Sequence, residues 1–206
     1  AADGGILLFA DRVDAAVVHL HHLRRVHDLD ARVVAALLFK QGLQLGSIAR
    51  QDELGNLIVL TQGQNGAFDE RPVRVCRDIA LAVQGNATII GTYRRTTADL
   101  AAFANCAAFR YLDFNDTYVG RFSVHPSDLI AACLAVAETE RRSAQELIAA
   151  IAIAYEVNCR LVDACDISTR GWDPTVMSPP AVALATGRLM RLSPTQLTHA
   201  VNIAIT

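Results

Sequence analysis

Two uninterrupted apolar runs, Leu129 to Ala137 and Leu147 to Tyr155, are nine residues long each. A membrane-spanning helix needs about 20 such residues, so neither run can cross a bilayer. Both are read as core helices. Alanine fills much of them, and it joins the best intrinsic helix propensity to a side chain small enough for close helix packing. Alanine also supplies much of the 52% hydrophobic content and the mean hydropathy of +0.26. The expected fold class is therefore all-α, a multi-helix domain. A chain of 206 residues can bury a sizeable core, roughly 70% of the surface its unfolded form exposes.

Charge and cysteine usage narrow the function classes. Nineteen basic residues stand against 21 acidic ones, for a net charge of -2. Such a balance offers no field to hold a polyanion, so no nucleic-acid partner is expected. Lys40 is the sole lysine, which removes lysine chemistry from the rest of the chain. Cys76, Cys106, Cys133, Cys159 and Cys165 are widely spread, without a C-x-x-C pair. That spacing argues against a disulfide framework and against zinc or iron–sulfur ligation. Reduced, mostly buried thiols fit a cytoplasmic location, and the first residues show no basic start or cleavage pattern of a signal peptide.

Residues 1–70 read as an atypical N-terminal segment and 71–206 as the helical domain. Phe9 to Phe39 fits one or two helices, although its periodicity is uneven. His19, His21, His22 and His27 gather there, but no acid or cysteine completes a coordination set, so a solvated helix face is preferred to a metal site. Leu57 to Thr61 looks like a short strand between turn-rich stretches. Val73 to Val83 reads as a helix with Val75, Ile79, Ala82 and Val83 on one side, ended by Gly85-Asn86. Thr88 to Gly91 is an extended connection, and Thr96 or Thr97 caps the next helix, with Asp99 in its first turn.

That next helix leads into the chain's densest collection of reactive side chains. Helical spacing puts Leu100, Phe103, Ala104, Ala107, Tyr111 and Phe114 on a core face, with Asp99, Cys106, Arg110, Asp113 and Thr117 on an adjoining strip. If the helix continues to Thr117, then Arg110, Asp113 and Thr117 line one wall of a cleft. Tyr118 to Val124 is read as a loop containing Gly120. Pro126 suits a first helical position, which puts His125 at or just before the cap, next to free N–H groups able to attract an anion. A histidine there can act as acid or base near neutral pH. Asp128 reads as a first-turn acid only. Downstream, Ser143-x-x-Glu146 is a capping box opening a helix from Ala144 to about Cys165. Gly171 to Thr175 is a break, with Trp172 expected in the core and Asp173 either an N-cap or the rim of the site. A helix from Pro180 to Met190 follows. Ser193-Pro194-Thr195-Gln196 caps the last one, still running at Thr206, which suggests that the chain lacks a portion of its parent fold.

Arg110-Tyr-Leu-Asp-Phe-Asn-Asp-Thr117 followed by His125-Pro-Ser-Asp128 resembles the signature of the MmgE/PrpD family. Pro72-Val-Arg-x-x-Arg77, Gly91-Thr-x-Arg-Arg-Thr96, Tyr155-Glu156-x-x-Cys159-Arg160-Leu161 and Gly171-Trp172-Asp173 with the helix from Ala181 to Leu192 are similar to it too. The likeness runs from about Arg71 to Thr206. It implies a mostly helical domain, a second α/β lid domain absent from this chain, and a homodimer. It also implies a small polycarboxylate substrate handled with no cofactor and no metal. Family members dehydrate 2-methylcitrate, decarboxylate cis-aconitate or epimerise related amino-dicarboxylates. Asp113, Thr117 and His125 match the catalytic positions, and Arg110, Asp116, Ser127 and Asp173 are the candidate substrate-binding residues. Where some members carry a histidine after the Gly-aromatic pair, this chain has Asp173 and Pro174.

The expected function is a hydro-lyase of propionate catabolism, dehydrating 2-methylcitrate to 2-methyl-cis-aconitate. A base removes the proton α to a carboxylate while an acid protonates the departing hydroxyl. Asp113 and His125 are the candidates for these roles, with Thr117 orienting, and Arg110 or helix-end N–H groups holding a substrate carboxylate. A decarboxylase-like or epimerase-like activity stays open. So does an inactive helical fragment with a dimerisation role.

Overall fold

A computed structural model describes residues 67–113, 115–165 and 167–205. The histidines between His19 and His27, the helices expected from Phe9 to Phe39, the strand expected at Leu57 to Thr61 and the side chain of Phe114 lie outside the described residues. Within them the architecture is all-α, with six α-helices and two very short hairpins.

Helix α1 (Arg71–Ala80) opens with Pro72 in its first turn, where a missing N–H leaves nothing unpaired. It stops short of the expected Val83. Its buried side is Val73 and Ala80, and Val75, Ile79, Ala82 and Val83, the apolar side read from the sequence, are exposed. The physical reason is what lies opposite. Val73 packs with Ala67 and Ala108, and Ala80 packs with Ile89 and Ala104, so the backbones approach over small side chains.

Strands β1 (Ala87–Thr88) and β2 (Arg95–Thr96) pair antiparallel, Ala87 opposite Thr96 and Thr88 opposite Arg95. Gly91 turns the chain at φ 79°, and a Cβ there would stand 2.5 Å from the Phe68 ring. Two polar side chains fasten this hairpin to the helices. Glu138 accepts from the Thr88 N–H at 2.6 Å and from its hydroxyl at 2.8 Å. Asn105 accepts from the Ile90 N–H at 2.9 Å and donates to the Thr88 carbonyl at 3.0 Å.

Asn105 also settles how α2 (Ala98–Arg110) faces the core. Its amide must meet the hairpin backbone, so Ala101, Ala104, Asn105, Ala108 and Phe109 are buried, and Phe103 and Tyr111 are left exposed. In a helix this rich in alanine, apolar periodicity hardly distinguishes one face from another. A single buried amide with specific partners decides the rotation.

The remaining helices are α3 (Ile130–Thr139), α4 (Ala144–Ala164), α5 (Ser178–Leu189) and α6 (Pro194–Ile205). Leu134, Leu147, Ile151, Leu161, Leu184, Leu189 and Val201 anchor the main core between them. The box at the start of α4 is complete: the Glu146 N–H donates to Ser143 Oγ at 3.2 Å, and the Ser143 N–H donates to Glu146 Oε2 at 3.0 Å. Ser193 and Gln196 repeat the pattern at α6. Tyr118 to Val124 is not an open loop. β3 (Tyr118–Val119) and β4 (Ser123–Val124) form a hairpin pinned to the end of α4, where the Tyr118 hydroxyl donates to Asp163 Oδ2 at 2.8 Å and Arg121 Nε donates to the Asp163 carbonyl at 2.7 Å. Trp172, expected in the core, is exposed. No helix among the described residues is long and apolar enough to cross a membrane.

Candidate active site

Helix α2 ends earlier than its sequence pattern suggests, and this rearranges the expected cleft wall. Tyr111 still bonds to the Ala107 carbonyl, but Asp113 turns into the left-handed region at φ 56°, with its N–H on the Arg110 carbonyl. Aspartate tolerates that conformation better than most residues. Arg110, Asp113 and Thr117 therefore do not share a helical strip. The turn nonetheless folds Asp113 back onto Arg110, with Nη1 and Oδ1 2.8 Å apart. Thr117 is exposed, and among the described residues no hydrogen bond or ion pair ties it to this group.

Asp116 is the buried acid of the stretch. Its Oδ1 accepts from the Ser127 N–H at 3.0 Å, and its backbone carbonyl lies 2.6 Å from His125 Nδ1. Pro126 does begin a helical turn, the 3-10 segment Pro126–Leu129 that runs into α3. The free N–H expected there to attract a substrate anion is thus already taken by the chain's own carboxylate. Asn115 completes the frame, donating to Ser127 Oγ at 3.0 Å and to Asp128 Oδ1 at 3.1 Å.

The contact at His125 sets its chemistry. A carbonyl oxygen only accepts, so the 2.6 Å approach puts the ring hydrogen on Nδ1. Nε2 of the neutral ring then carries a free lone pair. It sits 4.0 Å from Asp113 Oδ1, and the ring is a quarter exposed. A second-row contact of this kind fixes both tautomer and ring orientation, as a general base requires.

Asp128 is more than a first-turn acid. Its Oδ2 lies 3.5 Å from Arg110 Nε, and its side chain is 18% exposed. Burial pushes its pKa up from 3.8 to about 6, against the pull of Arg110 and His125, while Asp116 and Asp113 add to the rise. Below it, burial and the nearby Asp128 carboxylate raise the Cys106 thiol to about 11. The Cys106 Sγ lies 3.8 Å from the Asp128 carbonyl, within reach of a weak thiol hydrogen bond. Tyr155, on α4, is raised by burial first and then by the charge of Asp116.

Arg110 therefore serves two carboxylates, and the group carries Asp113, Asp116 and Asp128 against one guanidinium and one imidazole. It is not a ready carboxylate receptor on its own. Asp173 stands outside it. Its Oδ1 accepts from the Thr175 N–H at 2.8 Å and hydroxyl at 2.6 Å, which holds its pKa below the usual value and caps the 3-10 turn Pro174–Met177. Of the seven residues singled out from the sequence, Arg110, Asp113, Asp116, His125 and Ser127 come together, and Thr117 and Asp173 do not join their bonding. Asn115 lay inside the motif and could have been chosen. Asp128 and Tyr155 also stood in the quoted motifs, but their roles come from burial, which spacing along the chain does not report. Among the described residues no group of three or more His, Cys, Asp or Glu side chains is placed to hold a metal ion.

A family model described as the MmgE/PrpD N-terminal domain matches residues 64–206. A cis-aconitate decarboxylase-like protein, oryM, of Aspergillus oryzae is 28% identical over 134 residues, 60% of this chain. That match takes in 28% of the relative's own length.

Proposed function

The chain belongs to the MmgE/PrpD family, and from that premise we propose that it contributes the helical side of the active site in a cofactor-independent lyase of small polycarboxylates. The observation that carries the reading is the His125 ring, locked by the Asp116 carbonyl so that Nε2 is free to take a proton. In the first reading the substrate is 2-methylcitrate. His125 Nε2 removes the proton α to a carboxylate, and the carbon–oxygen bond breaks as the leaving hydroxyl takes a proton from an acid and departs as water. With His125 as the base, Asp128 suits the acid role better than Asp113, the other of the two candidates whose roles the sequence left open. Its pKa of about 6 keeps a protonated fraction near neutrality, whereas Asp113 is exposed and bonded to Arg110. Asp113 then orients the protonated ring.

Substrate carboxylates need cations that this acidic group does not offer. In the proposal they come from outside it, with Arg110 released from Asp113 to contribute one charge. Homodimerisation and a cytoplasmic location belong to the same proposal and rest on the family likeness and the thiol usage.

A second reading is decarboxylation of a cis-aconitate-like acid, the reaction that the relative's printed name describes. Dehydration takes a proton from a carbon beside a carboxylate, whereas decarboxylation delivers one to the carbanion left as carbon dioxide departs, so His125 is the base in the first and, once protonated, the acid in the second. The test is to incubate the chain with 2-methylcitrate and with cis-aconitate, following unsaturated-acid absorbance and carbon dioxide release. Water loss without carbon dioxide selects the dehydratase, and carbon dioxide release selects the decarboxylase. The absence of both turnover and a thermal shift with tricarboxylates would sink the enzyme reading for this chain and leave a helical unit with a structural role.

A further inference from the structure

At the candidate site three buried oxygens lack hydrogen-bond partners: Asn115 Oδ1, Asp116 Oδ2 and the Tyr155 hydroxyl. Helix α4 packs on the Pro126 turn that Asp116 holds through the Ser127 N–H, and the Tyr155 phenol is raised by burial first and then by Asp116. One turn along α4, both amide atoms of Asn158 are also buried without partners. Asp116 is 8% exposed and Asn158 is 1% exposed, so bulk water does not satisfy them.

Asp116 is held at two points, Oδ1 by the Ser127 N–H and the backbone carbonyl by His125. With Oδ2 unheld, the carboxylate can rotate about its last torsion and release Ser127. That would free the turn carrying the carbonyl against which His125 rests. A buried carboxylate oxygen calls for a donor. Asn158 Nδ2 is a further buried donor without a partner, and of the two α4 groups raised in part by Asp116, Tyr155 and Cys159, the thiol is a weak donor. A phenol O–H is a strong one.

We propose that Tyr155 is a positioning residue of this site: its hydroxyl donates to Asp116 Oδ2, directly or through one buried water, and so keeps His125 in the Nδ1–H form. Asn158 supplies the further polar contacts that a bridging water needs. The inference rests on the reading of His125 as a base, but its physical content, a tautomer set from α4, can be measured without turnover. A tyrosine that merely fills the core would be replaceable by phenylalanine with no effect on the imidazole.

The test uses the full 206-residue chain with nitrogen-15 histidine, the His125 signals being assigned by His125→Gln. Two-bond proton–nitrogen correlations report the tautomer, and solvent exchange reports how firmly the Nδ1–H is held. Wild type is expected in the Nδ1–H form. Tyr155→Phe is expected to admit the Nε2–H form and to speed Nδ1–H exchange about tenfold, the factor that one ordinary hydrogen bond is worth. An unchanged tautomer and exchange rate in a folded Tyr155→Phe protein would overturn the proposal. Should that variant not fold, Asp116→Asn and Asp116→Ser read the same contact. Asparagine keeps an acceptor for Ser127 and turns an N–H donor toward the Tyr155 oxygen, so it holds the Nδ1–H form. Serine is too short to reach Tyr155 and loses it, and equal behaviour of the two would refute the contact. If the chain turns over a polycarboxylate, Tyr155→Phe lowers kcat about tenfold with KM within about twofold. A chain with no turnover sinks the lyase reading while the tautomer measurement still decides the role of Tyr155.

Discussion

Replacing Asp128 with asparagine should stabilise the protein at neutral pH, and the size and sign follow from where the carboxyl sits. Its pKa rises from 3.8 to about 6, with burial as the largest cause. Two units at 1.36 kcal/mol each give about 3 kcal/mol as the cost of ionising Asp128 in the folded protein relative to the unfolded chain. The side chain is 18% exposed, so solvent screening removes little of this. Because the folded pKa is raised, the native state binds more protons across the window from 3.8 to about 6. The favourable contribution is complete below that window and is lost as pH rises through about 6. Asparagine imitates the protonated form and can still accept from Asn115. The stability difference, Asp128→Asn minus wild type, should therefore grow from near zero at about pH 4 to roughly 1–3 kcal/mol at about pH 7. Asp99, Glu146 and Asp173 are shifted down by local hydrogen bonds and pull the opposite way, but they are common to both proteins and cancel in the difference. Urea unfolding at half-unit pH steps measures it. A difference independent of pH would refute the reasoning. So would a variant that becomes less stable than wild type as pH rises, since the Arg110 pairing would then outweigh burial.

Three further substitutions test the frame around the site. Asp116→Ala strands the buried Ser127 N–H and should cost about 2–3 kcal/mol in urea unfolding, while Asp116→Asn, which keeps the acceptor, should cost under about 1 kcal/mol. Gly120→Ala would bring a Cβ to 2.4 Å from Asp163 Oδ1 and 2.9 Å from Val162 Cγ1. It should lower the denaturation midpoint by the equivalent of about 1–3 kcal/mol, through loosening of the β3–β4 hairpin. Ser143→Ala removes the acceptor for the Glu146 N–H at the start of α4, and chemical denaturation should register a loss of about 1 kcal/mol.

Much of the framework was legible because it depends on neighbours in the chain. The Ser143–Glu146 and Ser193–Gln196 boxes and the Pro126 turn form as their local chemistry dictates. The all-α class followed from alanine-rich runs for the same reason. Faces and depths were harder to read. The bare side of α1 holds Val75 and Ile79, because small residues on α2 allowed a closer fit through Val73 and Ala80. The rotation of α2 turned on Asn105, a polar residue that no hydrophobic pattern would place inside. The end of α2 at Arg110 hinges on a left-handed Asp113, which a pattern of apolar positions continuing to Phe114 concealed. In the site, the ligation of Ser127 by Asp116 and the burial that raises Asp128 come from packing between α2, the Pro126 turn and α4. No spacing along the chain reports a dielectric environment.

Solvent hydrogen exchange at the carbon beside a substrate carboxylate bears most directly on the proposed chemistry, because dehydration removes a proton there and decarboxylation adds one. The chain, incubated in heavy water with 2-methylcitrate or cis-aconitate and followed by proton NMR, should introduce deuterium at that carbon. His125→Gln should slow the exchange by about 10²–10⁴-fold while leaving the fold intact. No exchange by the wild-type chain, or an unchanged rate in His125→Gln, would contradict a base at His125 Nε2.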